Sequence, residues 1–172
     1  MIRDKVVLVT GIGKGIGAEI FNKCQRESKF VFGIVRSKKD FLKLTTNQSV
    51  QSILLDAPCS ALGTFRRNPD VASKINQSKL KRNQKIQIQM LDKAINILDE
   101  NGIIIYIVCS FHPFETINVI DKIAQKHKNI RTLSLQSDKM IKRQNGYFIN
   151  PLTFKELGGS DIFFVSVLEK TK

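Results

Sequence analysis

Two cysteines in this chain occupy places where packing alone gives no reason for a thiol. Cys59 follows Ile53-Leu54-Leu55-Asp56-Ala57-Pro58, a short apolar run interrupted by an acid and a proline. Cys109 follows Gly102-Ile103-Ile104-Ile105-Tyr106-Ile107-Val108, a second apolar run, and both cysteines are followed by a serine. A thiolate is a strong nucleophile and metal ligand, so thiols placed at strand ends beside an acid mark where chemistry is expected. A cysteine in such a place is otherwise a buried small hydrophobe, and Cys24, inside a helical pattern, is read that way.

For both thiols to serve one site, the two runs must be strands of one sheet. Apolar runs of this kind are the pattern of strands buried on both faces. In an open α/β sheet the sites form at the carboxyl ends of the strands, which would bring both thiols to one edge. Between the runs, from Ser73, Ile86, Met90, Ala94 and Ile97 recur at helical spacing and predict a core-facing stripe, with Lys79, Lys81, Arg82 and Lys85 near the front. Asn101-Gly102 predicts the end of that helix.

Upstream, Lys5 to Thr10 predicts a strand, Gly11 to Gly17 a glycine-rich loop, Ala18 to Cys24 a helix, and Phe30 to Val35 a second strand. Downstream, Pro113 opens a helix over Phe114 to Lys126. Ile130 to Leu135 predicts a strand, Gln136 to Gly146 a basic loop, and Asp161 to Leu168 the last strand. Ser37 to Val50 has room for one short helix but not for helix, strand and helix, so one strand is missing. In the order 3-2-1-4-5 it is an edge strand, and its loss leaves the centre of the sheet intact. The fold class is therefore α/β: one Rossmann-like domain over residues 1–172, mostly parallel, with an antiparallel C-terminal strand and one edge strand lacking.

A chain of 172 residues has the length of one domain. Its formal net charge of +13 predicts a polyanionic partner, most simply nucleic acid. Three cysteines, at 24, 59 and 109, show neither a disulfide framework nor metal spacing, and they point to a reducing compartment. His112 and His127 are isolated, so no metal is expected. Met1 to Lys5 leads straight into a strand without a signal-peptide pattern, and no apolar run has membrane-spanning length. The expected location is cytoplasmic, with no membrane partner.

Asp56 to Asp70 (DAPCSALGTFRRNPD), a helix, and then Tyr106 to Glu115 (YIVCSFHPFE) resemble the Sun/NOP-type RNA cytosine-5 methyltransferases. Leu157 to Lys170 (LGGSDIFFVSVLEK) is similar to the close of the same catalytic domain, so the resemblance covers about residues 50–172. It implies a Rossmann-like transferase that takes its methyl group from S-adenosylmethionine and acts on RNA, most plausibly ribosomal. It also implies that Cys109 attacks carbon 6 of cytosine, that Cys59 helps resolve the adduct, and that Asp56 supports the ring at nitrogen 3. Pro58 and Pro113 would shape the two loops, and Arg66 and Arg67 would lie near the RNA. The target base has to leave its stack, so single-stranded or loop RNA is expected.

The front of the chain, about residues 1–40, resembles something else. Thr10, Gly11, Gly15 and Gly17 match the Thr-Gly-x-x-x-Gly-Ile-Gly signature of short-chain dehydrogenases, which implies NADP with Arg36 at its 2′-phosphate. That family's active-site tyrosine has a lysine four residues later, but here Ser110 follows Tyr106 and Pro151 follows Tyr147 at that distance. Residues 1–48 are thus expected to be a dinucleotide-binding-like β-α-β and 49–172 the methyltransferase-like part. Thr10, Gly11, Gly15 and Gly17, with Asp56 and Pro58, are the candidates for holding the cofactor. The alternatives are an NADP-binding dehydrogenase-like protein and a non-catalytic basic RNA-binding module.

Overall fold

The two runs that precede the thiols lie side by side in one sheet. In the computed structural model, which describes residues 6–11, 16–27, 30–34 and 50–172, they are β3 (Val50–Asp56) and β4 (Leu98–Val108), paired in parallel. β1 (Val6–Thr10) pairs in parallel with β3 on one side and with β2 (Phe30–Ile34) on the other. The helix α1 (Ile16–Glu27) connects β1 to β2. The long helix α2 (Gln77–Ile97) connects β3 to β4, and α3 (Ile117–Lys126) follows β4. The missing-strand expectation falls on residues 37–50, most of which lie outside the described residues.

Beyond β4 the sheet turns antiparallel. β8 (Phe163–Lys170) runs against β4, as expected for the last strand. The other side of β8 is shared by β5 (Ile130–Thr132) and β7 (Gly146–Ile149), and β6 (Ile141–Arg143) pairs with β7. The sheet order is β2-β1-β3-β4-β8-β7-β6, with β5 attached to β8. β6 and its turn into β7 lie in the stretch expected to be a basic loop, and the rest of β7 lies just beyond it. β6 is exposed along its length and carries Lys142 and Arg143, so it has no apolar alternation to reveal it.

Two boundaries differ from expectation for physical reasons. α2 stops at Ile97, and Leu98 is already extended. Asn101 adopts a left-handed backbone, φ 59°, inside β4, where the pairing register with β3 shifts between Val50 and Ser52. Asparagine tolerates that conformation, so Asn101-Gly102 marks an irregularity in a strand and not the end of a helix. After Pro113 the chain makes a 3-10 turn, Pro113–Glu115, before α3 begins.

β1 and β3 are buried on both faces, as their composition predicts. β4 departs from that expectation: Ile104, Tyr106 and Val108 are buried on one face, and Ile105 is exposed on the other, where the described residues place no helix. On one face Leu8, Ile53, Leu55, Ile104 and Tyr106 pack with Met90, Leu91 and Ala94 of α2 and Val119, Ile120 and Ile123 of α3. Fully burying an aliphatic side chain of this kind contributes about 1.5–3 kcal/mol. On the other face Val7, Val9 and Leu54 pack with Cys24 of α1, which is a core residue as expected. The predicted stripe of α2 is present: Met90 and Ala94 are buried, and Ile86 and Ile97 pack at the core's margin.

Candidate active site

The pairing of β3 with β4 continues one residue past Asp56, where Ala57 N donates to Ile107 O at 3.0 Å. Both chains therefore leave the sheet at the same level, one into Pro58-Cys59-Ser60 and the other into Cys109-Ser110. The two sulfur atoms lie 3.4 Å apart, within hydrogen-bonding distance. Behind them the two serines meet on one buried carboxylate. Ser60 Oγ and Ser110 Oγ donate to Glu115 Oε2 at 2.5 and 2.6 Å, and Ser60 N donates to Glu115 Oε1 at 2.8 Å.

The helix α2 ties both loops to the core through amide side chains. Asn83 Nδ2 donates to Glu115 Oε1, Gln84 Nε2 to Phe114 O, and Gln87 Nε2 to Pro58 O, each at 2.8–2.9 Å. Tyr106 Oη donates to Glu115 O at 2.7 Å from beneath. None of these residues stands out by chemical type in the chain. The usable signal is the run of amides at 83, 84 and 87 on the buried side of an otherwise apolar helical face, since buried amides require partners.

The paired thiols do not titrate alike. A hydrogen bond from Cys59 stabilises the Cys109 thiolate and lowers its pKa, against the opposing effects of burial and of the Asp56 and Asp161 charges. Cys59 is pushed far up, first by that same hydrogen bond and then by its deeper burial, so it keeps its proton and acts as the donor. Partial burial also raises the Asp56 carboxyl above its ordinary value.

The structure brings Thr10, Gly11 and Asp56 together at the ends of β1 and β3. Asp56 N donates to Thr10 Oγ1 at 2.9 Å, and Thr10 Oγ1 lies 3.3 Å from Asp56 O. Gly11 has φ +72°, and a β-carbon there would fall 2.6 Å from Asp56 Oδ2. Only glycine leaves that space open beside the acid, and this fits a ligand cradled at the carboxyl ends of the strands. Gly17 lies in the first turn of α1, whereas Gly15 and Arg36 lie outside the described residues. Pro58 is exposed but anchored through its carbonyl, and Pro113 is exposed at the start of the 3-10 turn.

Arg66 is exposed, while Arg67 is committed to Asp161, with Nε to Oδ2 at 2.7 Å. The other oxygen of Asp161 is buried and has no hydrogen-bond partner among the described residues. Gly63 closes the floor of the loop. Its N donates to Cys109 O at 2.9 Å, its O accepts from Ile162 N at 2.9 Å, and a β-carbon there would overlap the Ile162 carbonyl.

The tyrosines give no support to dehydrogenase chemistry. Tyr106 is fully buried with its hydroxyl spent on Glu115, and the Tyr147 hydroxyl accepts from Leu135 N at 2.8 Å. Among the described residues no three metal-ligating side chains converge, and no helix is long and apolar enough to cross a membrane.

Comparison with known proteins extends the likeness forward from Val50. The family model described as 16S rRNA methyltransferase RsmB/F matches residues 27–169, which takes in β2 and part of the segment that resembled a dehydrogenase. The ribosomal RNA small subunit methyltransferase B of Photorhabdus laumondii is 30% identical over 124 residues, 72% of this chain and 27% of that protein. The protein of the same name from Thermus thermophilus is 27% identical over 124 residues, 72% of this chain and 30% of its own length. The chain therefore spans 27–30% of the length of these curated relatives. The solved structure of NSun6 from Pyrococcus horikoshii with SFG superposes with a TM-score of 0.74 at 17% identity, covering 98% of this chain and 48% of that one. At that identity the likeness concerns the fold alone, and no comparison supports a dehydrogenase segment at residues 1–40. With a family model covering most of its length, the chain belongs to the 16S rRNA methyltransferase RsmB/F family.

Proposed function

We propose that this chain carries the catalytic part of a ribosomal RNA cytosine-5 methyltransferase in which Cys109 is the nucleophile. The observation that carries this reading is the 3.4 Å approach of Cys59 and Cys109 at the ends of adjacent parallel strands. Bound S-adenosylmethionine would supply an electrophilic methyl group, and Thr10, Gly11 and Asp56, gathered at the ends of β1 and β3, are the residues that would hold it. The protein's task is to make cytosine carbon 5 nucleophilic. Cys109, favoured as thiolate by the Cys59 S–H, adds to carbon 6, and the electron pair moves into the ring. A carboxyl with a raised pKa suits Asp56 to share a proton with nitrogen 3 as charge gathers there.

The same geometry accounts for a change of role at Cys59. While Cys109 is a thiolate, its charge opposes ionisation of Cys59. Once the Cys109 sulfur is bonded to carbon, the hydrogen bond to the thiolate and its repulsion are gone, so Cys59 ionises more readily than before, against its remaining burial, and can help resolve the adduct. Phe65 and Phe111, 52% and 45% exposed, follow the two thiol loops and offer flat faces to an unstacked base.

The test is transfer of labelled methyl from S-adenosylmethionine to small-subunit ribosomal RNA, read as 5-methylcytosine. Wild-type protein should label the RNA. Cys109→Ala should abolish labelling, and Cys59→Ala should accumulate a covalent protein–RNA complex. Salt-sensitive RNA binding without labelling, unchanged in Cys109→Ala, would instead make the chain a non-catalytic RNA-binding module.

A further inference from the structure

Glu115 has no part in the chemistry above, yet around the thiols it receives the most hydrogen bonds. It is fully buried, and each carboxylate oxygen accepts two donors: Ser60 Oγ and Ser110 Oγ on Oε2, Ser60 N and Asn83 Nδ2 on Oε1. Each serine oxygen also faces the backbone N–H two residues on, Leu62 N at 3.4 Å and His112 N at 3.2 Å. The loops after Cys59 and Cys109 are thus built alike and meet on a single atom. Both serines directly follow the cysteines, so whatever sets the distance between the serines also sets the distance between the sulfurs.

We propose that Glu115 is a positioning residue for the thiol pair: by gathering Ser60 and Ser110 onto one carboxylate oxygen it holds Cys59 and Cys109 within hydrogen-bonding distance. The inference rests on the functional reading above only in that these are the thiols assigned to catalysis. Glu115 acts through the serines and not on the reacting atoms. The ionisable groups facing Cys109 are Cys59, with Asp56 at the end of β3 and Asp161 ahead of β8; Glu115 and Tyr106 face Cys59 from below. Of these, only Cys59 favours the Cys109 thiolate by a direct hydrogen bond, and that bond depends on the clamp.

Glu115→Gln tests the proposal on the full chain without RNA or methyl donor. It replaces one acceptor oxygen by a donor N–H2 group, so the four donors can no longer all be served. The readouts are the pH profile of Cys109 alkylation by iodoacetamide, resolved by peptide mass spectrometry, and the rate of Cys59–Cys109 cross-linking by diamide. The expected result is a higher midpoint pH for Cys109, together with slower cross-linking. A midpoint raised by one pH unit would slow alkylation well below the midpoint roughly tenfold. A folded Glu115→Gln protein with the wild-type midpoint and cross-linking rate would overturn the proposal. If that variant fails to fold, Ser110→Ala decides the question: a smaller change in the same direction supports the clamp, and wild-type values overturn it. The assay needs no turnover, so a chain that never methylates RNA yet shows these changes at its thiols would refute the functional reading and leave the clamp standing.

Discussion

Cys59 Sγ and Cys109 Sγ approach to 3.4 Å although 50 residues separate them in the chain. A disulfide bond needs about 2.05 Å, so a small movement of the two side chains closes the gap. Treatment of the native protein with diamide should therefore give one internal disulfide joining the Cys59 and Cys109 peptides, with Cys24 left out because it is buried between α1 and the sheet. Peptide mapping without reduction checks this. A mixture of pairings that includes Cys24 would contradict the observed geometry.

Asp56→Asn should separate function from stability. Burial raises the Asp56 pKa above 3.8, so the folded state binds this proton more tightly than the unfolded chain does. The stability it contributes is complete below the unfolded value and is lost as pH rises through the raised folded value. At neutral pH the charged carboxylate is thus a small burden on folding, limited by its contact with solvent. The asparagine variant should melt at the wild-type temperature or slightly above it and lose methyl transfer. A clear drop in melting temperature would count against this assignment.

Gly63→Ala should damage the site through the backbone. The new methyl group would overlap the Ile162 carbonyl and force apart the strand-like contacts of Gly63 with Cys109 and Ile162. Overpacking of this kind costs about 1–3 kcal/mol, measurable by urea denaturation, and cross-linking of Cys59 to Cys109 should slow in the same variant.

RNA binding should divide by chemistry. Phe111→Ala removes an exposed ring, so it should leave stability within about 0.5 kcal/mol of wild type while weakening single-stranded RNA binding by about 1–3 kcal/mol if one base stacks there. Arg66→Ala should instead reduce the slope of log affinity against log salt by roughly 0.7 for one lost phosphate contact on a single strand. Arg67→Ala should change stability more than the salt slope, because its guanidinium is already paired with Asp161. Titrations of labelled RNA at several salt concentrations distinguish these outcomes.

The central strands were legible because Ile53–Leu55 and Ile103–Val108 are β-branched and apolar runs that each lead into the same Cys-Ser pair, although only the first is buried on both faces and Ile105 of the second is exposed. The apolar stripe of α2 was legible because its members recur at helical spacing. The clamp was not, because Glu115 finds Ser60 at a separation of 55 residues and Asn83 at 32, and no local pattern encodes such partners. Asn101-Gly102 misled because the left-handed backbone that ends a helix also suits an irregular strand. The glycine-rich segment after Thr10 is less informative for another reason: glycines let a backbone pass close to an acid or a phosphate whatever the cofactor, so their spacing does not by itself name a family.

The divided partner of β8 has a consequence for the protein's behaviour in concentrated solution. β5 covers Leu168–Lys170 and β7 covers Phe163–Val165, while Leu133 N caps Val167 O between them at 2.8 Å. No long, flat row of open amides and carbonyls is left along this strand, and the outermost piece, β6, is short and carries Lys142 and Arg143. Proteins resist edge-to-edge aggregation by these means. Residues 130–149, which contribute nothing to the thiol site, thus act as a guard rail: cutting them away would uncover the most apolar strand at this end of the sheet and invite the chain to stack on its own copies.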